Sequence, residues 1–133
     1  MINAFVATPV DVAINTIVPF SGSRAQTRGS CRCNGGSGQF LISRPGIYLV
    51  AASAQVTSDA AATVATLALT TNGEALAGTT MAETITAAGD VAQMATTALV
   101  TVPCGASITV ALANTGAAEV TVNAASLVLV RVA

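Results

Sequence analysis

The chain reads as an all-β protein, an antiparallel sandwich or barrel of about eight to ten strands, the size of a jelly roll. Three observations predict this. Two-residue alternation of apolar and polar side chains recurs along the chain, while helical periodicity is absent throughout. Turn-forming pairs punctuate the sequence at roughly ten-residue intervals, the spacing of short strands joined by tight loops. Thr and Val dominate the segments between those turns, as a pleated, half-buried surface prefers.

In chain order, Asn3 to Thr8 forms a first strand ended by Pro9, and a strand around Gly29 to Cys33 is separated from Gln39 to Ser43 by Asn34-Gly35-Gly36-Ser37-Gly38. Pro45-Gly46 turns into a long strand from Gly46 to Ala54. Thr63 to Thr70 sets Ala65, Leu67 and Leu69 on one face. Asn72-Gly73 is a hairpin signal, because a type I′ turn needs positive φ at both central residues. Gly89-Asp90, Pro103-Cys104-Gly105 and Asn114-Thr115-Gly116 close further strands. Ser107 to Asn114 places Ile108, Val110 and Leu112 inward, and Glu119 to Asn123 repeats the pattern with Val120 and Val122. The Ala-rich stretches Asp59 to Ala65 and Glu83 to Ala88 leave room for a short helix, although interleaved Thr speaks against it.

Gly46 to Ala54 and Ser126 to Val132 break the alternation, being apolar on both faces. Tyr48, Val50 and Ala52 point one way and Ile47, Leu49 and Ala51 the other. Leu127 and Leu129 oppose Val128, Val130 and Val132. A strand with no wet face needs a cover on its second side, and no convincing helix is present to supply it. The expected cover is another copy of the chain, which makes this an obligate oligomer with an architectural or binding role.

Composition narrows the function further. The 133 residues are long enough for one domain, 1–133, with its own core. No run approaches the ~18 uninterrupted apolar residues of a spanning helix despite a mean hydropathy of +0.71. The start, MINAFVATPVDV, lacks the basic and apolar regions of a secretory signal, so synthesis and assembly in a cytoplasm are expected. The net charge of −1, a pI near 5.0 and 3% aromatic residues argue against nucleic-acid binding. Four of five arginines, Arg24, Arg28, Arg32 and Arg44, cluster early and serve as rim or intersubunit partners for carboxylates.

There is no histidine and no lysine, so no Ser-His-Asp or Cys-His pair and no Schiff base can be assembled. A carboxylate pair remains conceivable, but Asp11, Asp59, Glu74, Glu83, Asp90 and Glu119 are scattered, mostly beside turn residues. No enzymatic activity, cofactor or metal is expected. Cys31 and Cys33 stand on one face of a strand, too closely spaced for a zinc knuckle and poorly set to bond each other. With Cys104 they are expected to be reduced apolar fillers of the core, the alternative being a subunit link or metal ligand at a symmetry axis.

The order of these features resembles a known family. Gly38-Gln39-Phe40 followed by Arg44-Pro45-Gly46-Ile47-Tyr48-Leu49-Val50 is similar to the "G-x-F … x-P-G-x-Y-x-F" signature of C1q/TNF-like jelly rolls. Leu67 to Gly73 resembles that family's "L-x-x-N-G" hairpin, Thr97 to Val110 its "L-x-L-x-x-G-D-x-V-x-V" strand pair, and Ala125 to Val130 its last strand. The final-strand Phe and Gly of the family are aliphatic here, and Cys104-Gly105-Ala106 replaces the usual Gly-Asp turn. The Ala/Thr/Val-rich style is closer to prokaryotic and phage members, which include head-decoration and fibre proteins and the C-terminal domains of collagen-like spore-surface proteins.

The resemblance implies a homotrimer about a threefold axis, with the strand beginning at Gly46 and the last strand in the inner sheet. On that basis Tyr48, Val50, Ala52, Leu127, Leu129 and Arg131 are the candidate interface residues. Tyr48 either lies at the axis or fills the sandwich core with its hydroxyl at the edge. The expected function is a structural virion protein, a capsid-decoration, head-fibre or fibre-tip trimer of a tailed phage, with capsid or tail proteins as partners. The alternatives are a carbohydrate- or cell-surface-binding module, with a host-surface glycan as ligand, and a bacterial spore-surface domain.

Overall fold

The computed structural model describes residues 2–20, 22–26, 31–33, 39–59 and 62–133, with side chains for 3–20, 39–59 and 62–133. Twelve strands are described and no helix. They are β1 (Ile2–Val6), β2 (Val10–Val12), β3 (Gly22–Gln26), β4 (Cys31–Cys33), β5 (Phe40–Ile42), β6 (Gly46–Thr57), β7 (Thr63–Thr71), β8 (Glu74–Ala75), β9 (Met81–Ile85), β10 (Ala92–Val102), β11 (Ile108–Asn114) and β12 (Val120–Arg131). Four of them are three residues long or shorter, which is why the count exceeds the eight to ten expected. The stretch Glu83 to Ala88 forms the end of β9 and a turn, not a helix.

The strands make two antiparallel sheets. The first runs β10-β6-β12-β1-β3, with β2 also pairing β12; the second runs β4-β5-β11-β7-β8, with β9 also pairing β7. Their facing sides form one core. Val50, Val56, Leu127 and Leu129 come from the first sheet, and Phe40, Ile42, Leu67, Leu69 and Leu112 from the second. Phe20 and Phe40 meet edge to face, ring centroids 5.6 Å apart, in the arrangement their quadrupoles favour.

The two segments expected at Glu119–Asn123 and Ser126–Val132 are one continuous strand. In β12, Val122 pairs with Val56 and Ala124 with Gln55, so Asn123 is an extra, bulged residue. The bulge reverses the parity: Val120 and Val122 face the core before it, Ala125, Leu127 and Leu129 after it. A sequence reading by strict alternation splits such a strand in two. The Asn72-Gly73 turn between β7 and β8 has φ of 53° and 86°, the positive values a type I′ hairpin requires.

One buried side chain ties the two sheets at the end that carries the β11–β12 turn. Asn114 Nδ2 donates to the Val12 carbonyl (3.1 Å) and to the Ala118 carbonyl (2.9 Å). Its Oδ1 accepts from the Gly116 N–H (3.0 Å). Its main chain pairs with the 13–18 segment as well, through Asn15 N–H to Asn114 O and Asn114 N–H to Thr16 O. The chain between β2 and β3 is thereby fastened along β11, where an isolated bridge joins Ile17 and Ala113.

Candidate interaction face

The outer face of the first sheet can be read from its registers, because residues directly opposite in antiparallel strands point the same way. One row crosses Leu99, Leu49 and Val130. The next crosses Thr97, Ala51, Val128 and Asn3, and the third Ala95, Ser53, Ser126 and Phe5. The first two rows, with Ile47 beside them, make an apolar field. Leu99 is 62% exposed and Ile47 37%, while Leu49, Ala51, Val128 and Val130 are half-buried. No described element packs over this field. Six aliphatic side chains from three adjacent strands form a contiguous patch of the kind that marks an interaction surface.

Farther along the same face the residues of β6, β10 and β12 become small or polar, with Phe5 of β1 beside them. A shallow depression of about 760 Å³ opens there, lined by Phe5, Ser53, Gln55, Gln93, Ala95 and Ser126 among others. Its position follows from the backbone. β12 passes from pairing with β1 (Ala125–Leu129) to pairing with β2 (Val120–Val122), with the Asn123 bulge at the changeover. Asn3, on the same face, has a buried side-chain oxygen with no hydrogen-bond partner among the described residues.

The six expected interface residues fall on the other side. Tyr48, Val50, Leu127 and Leu129 are fully buried and Ala52 is 3% exposed, all in the core between the two sheets. Those five are covered by the second sheet of their own chain. β6 and β12 are central neighbours in one sheet, and the apolar side left uncovered is the Ile47–Leu49–Ala51 and Val128–Val130 side. Tyr48 is the core filler of the two alternatives, its hydroxyl donating to the Arg44 carbonyl at 2.8 Å. Arg131 pairs in register with Tyr48 at the sheet's end and is exposed. Two faces of equal greasiness carry no parity signal of their own. The missed signal lies in β10, where buried Ala92, Met94, Val100 and Val102 alternate with exposed Gln93, Ala95, Thr97, Leu99 and Thr101, but using it requires knowing that β10 pairs β6.

The remaining candidates do not assemble. Cys104 is exposed in the β10–β11 turn, so it is not a core filler; the thiols of Cys31 and Cys33 and the 34–38 loop lie outside the described side chains. Asp11, Asp59, Glu74, Glu83, Asp90 and Glu119 are all exposed. No three His, Cys, Asp or Glu residues come together among the described residues. Asp90 serves its own turn, its carboxylate accepting from Thr86 Oγ1 and the Ala87 N–H, both at 3.2 Å. No helix is long and apolar enough to cross a membrane among the described residues.

No family model and no curated protein matches the chain. Solved structures do match along nearly its whole length. The globular domain of zebrafish complement 1qA protein superposes with a TM-score of 0.65 at 11% identity, covering 96% of this chain and 94% of that one. Eiger TNF from S. frugiperda gives 0.69 at 15%, covering 99% and 92%. PRD1 vertex protein P5 gives 0.57 at 12%, covering 99% and 96%. The fold is the C1q/TNF-like jelly roll. At these identities the likeness establishes the architecture alone.

Proposed function

We propose that this chain is a structural protein, a single jelly-roll unit that assembles into a homotrimer through the outer face of its first sheet, and that the trimer decorates a virion as a head, fibre or vertex component. The observation that carries the reading is the uncovered apolar field of Ile47, Leu49, Ala51, Leu99, Val128 and Val130 on three neighbouring strands. The orphaned Asn3 oxygen on that face adds to it, since a buried acceptor without a donor is a cost that a completed interface has the means to remove. The likeness to PRD1 vertex protein P5 supports the virion setting, as does a residue inventory without histidine or lysine, which favours scaffolding over catalysis.

The reading is tested by placing one charge on each face. Val130→Asp removes roughly 2 kcal/mol of aliphatic burial per protomer and sets an unpaired carboxylate in the interface, costing several kcal/mol more. Repeated in every subunit, that is enough to dissociate a trimer. Native mass spectrometry is expected to give three times the 13.0 kDa chain mass for the parent protein and the single-chain mass for Val130→Asp, with unchanged far-UV circular dichroism. Val50→Asp, on the core face, is expected to lose the fold itself. A parent protein that is monomeric at micromolar concentration, or a Val130→Asp variant of undiminished mass, defeats the proposal.

A further inference from the structure

The depression on the outer face of the first sheet lies beyond the apolar field and takes its shape from the strand registers. Its floor is small: Ser53 of β6 stands opposite Ser126 of β12, and Ala124 of β12 opposite Gln55 in the next row. Its sides are larger. Phe5 of β1, opposite Ser126, bounds one side, and the directly opposed pair of Gln55 and Gln93 bounds the other. β1 and β10 are separated by β12 and β6, three strand spacings of ~4.8 Å, so the trough is about 14 Å wide. Successive rows on one face are ~7 Å apart, which sets its length.

The lining narrows what fits. No residue around the trough is charged, so an ion entering it would lose water and meet no counter-charge. Ser53, Ser126, Gln55 and Gln93 offer hydroxyl and amide groups that both donate and accept, and no described group already bonds to these side chains. A purely apolar ligand would strip those groups of water and leave them unpaired. Phe5 adds a half-buried aromatic ring. A neutral sugar answers all of these features. Its hydroxyls exchange hydrogen bonds with the amides and hydroxyls, and its C–H groups carry the partial positive charge that an aromatic ring face attracts.

We propose that the trough binds a neutral oligosaccharide, laid across β6 and β12 with one sugar ring against Phe5 and the next against the Gln55–Gln93 pair. No carboxylate lines the trough, so the site holds a glycan without cleaving it. It is complete within one chain and does not rest on the trimer. Hydrogen bonds in so shallow a site compete with water, which places the affinity of one trough in the millimolar range. Several troughs presented together to a surface of repeated sugars gain strength by avidity.

Titration of the isotope-labelled full chain with maltose, cellobiose, lactose and chitobiose, followed by heteronuclear NMR, tests this. At least one disaccharide is expected to give saturable amide shifts at 5–7, 53–55, 93–95 and 124–126, with a half-point below about 20 mM, and glucose phosphate none. Ser53→Lys fills the floor from an exposed position and should weaken that binding at least about tenfold, with the spectrum otherwise unchanged. Phe5→Leu keeps the bulk but loses the ring, and Gln93→Ala removes an exposed amide; each should weaken binding about threefold or more. The Val130→Asp variant should bind with the parent's half-point, which separates this site from the trimer contact. Absence of shifts with every disaccharide, shifts mapping elsewhere, an equal response to glucose phosphate, or undiminished binding by Ser53→Lys would overturn the proposal. So would binding that appears only in Val130→Asp, since the trough's occupant would then be a neighbouring copy.

Discussion

Replacing Asn114 by Ala isolates the polar pin that holds the two sheets in register. The side chain is fully buried, and its loss removes three hydrogen bonds: to the Val12 carbonyl, to the Ala118 carbonyl and from the Gly116 N–H. The first is buried, so the abandoned Val12 oxygen pays most of its desolvation, ~1–3 kcal/mol. The other two are partly exposed and regain water, leaving a net ~0.5–1.5 kcal/mol each. The expected loss is about 4 kcal/mol, a large fraction of the ~5–15 kcal/mol that stabilises a typical domain. Urea denaturation at fixed protomer concentration should show the midpoint falling with the slope unchanged. Asn114→Asp sharpens the reasoning, because its carboxylate would face two carbonyls that need donors. Its folded-state pKa is then raised above the unfolded ~3.9, so that variant should be most stable in acid and lose stability as pH rises. A midpoint shift worth under about 1 kcal/mol for Asn114→Ala would refute the assignment of Asn114 as the pin.

Gly46 opens β6 at φ of +149°, and a Cβ there would lie 2.5 Å from Arg131 Nε and 2.7 Å from the Ala133 carbonyl oxygen. Gly46→Ala should cost about 2–3 kcal/mol and lower the melting temperature by several degrees in calorimetry. Tyr48→Phe removes the hydroxyl bond to the Arg44 carbonyl, so a loss of about 1 kcal/mol is expected in the same denaturation assay, with assembly unaffected. Phe40→Ala deletes a fully buried ring packed edge to face against Phe20 and should cost about 3–5 kcal/mol, read as a drop in urea midpoint. Cys104 is exposed, so it should be modified by a thiol reagent in the folded protein without denaturant, checked by intact mass under native conditions.

The sheet-forming segments were legible because they obey period two. Leu67 and Leu69, or Val110 and Leu112, could be assigned to the core from alternation alone, and the structure buries all four. The Asn72-Gly73 hairpin was equally clear, since its backbone demands residues that accept positive φ. What could not be read was any property that depends on which strands are neighbours. Asn123 looks like the end of a strand until its position opposite the Val56–Gln55 step shows it to be a bulge. Asn114 looks like a turn residue, and nothing local reveals that it reaches Val12 across more than a hundred residues of chain. Which side of β6 and β12 is buried was hidden for the same reason, as both strands are apolar on both sides and only their pairing with β10 and β1 fixes which side is covered.

That ambiguity is itself informative about how the protein works. A monomer needs only one apolar side per sheet, and the outer side of the second sheet carries small or polar residues, Thr66, Ala68, Thr70, Thr109, Ala111 and Ala113, with Val64 its one large aliphatic on β7. The first sheet carries the excess, and it does so only over the half of its outer face that includes Leu49, Leu99 and Val130. Toward the other end the same strands change to Ser53, Gln55, Gln93 and Ser126. An apolar field that stops part-way along continuous strands is not explained by strand propensity, which would act along their full length. The proposed trimer accounts for it, with a neighbouring copy covering one half and leaving the other wet. Three copies meeting at the Leu49 end would splay apart toward the Ser53 end, so the depression there would open onto a solvated vestibule between subunits and the shell of charge-poor protein would still present polar groups to water.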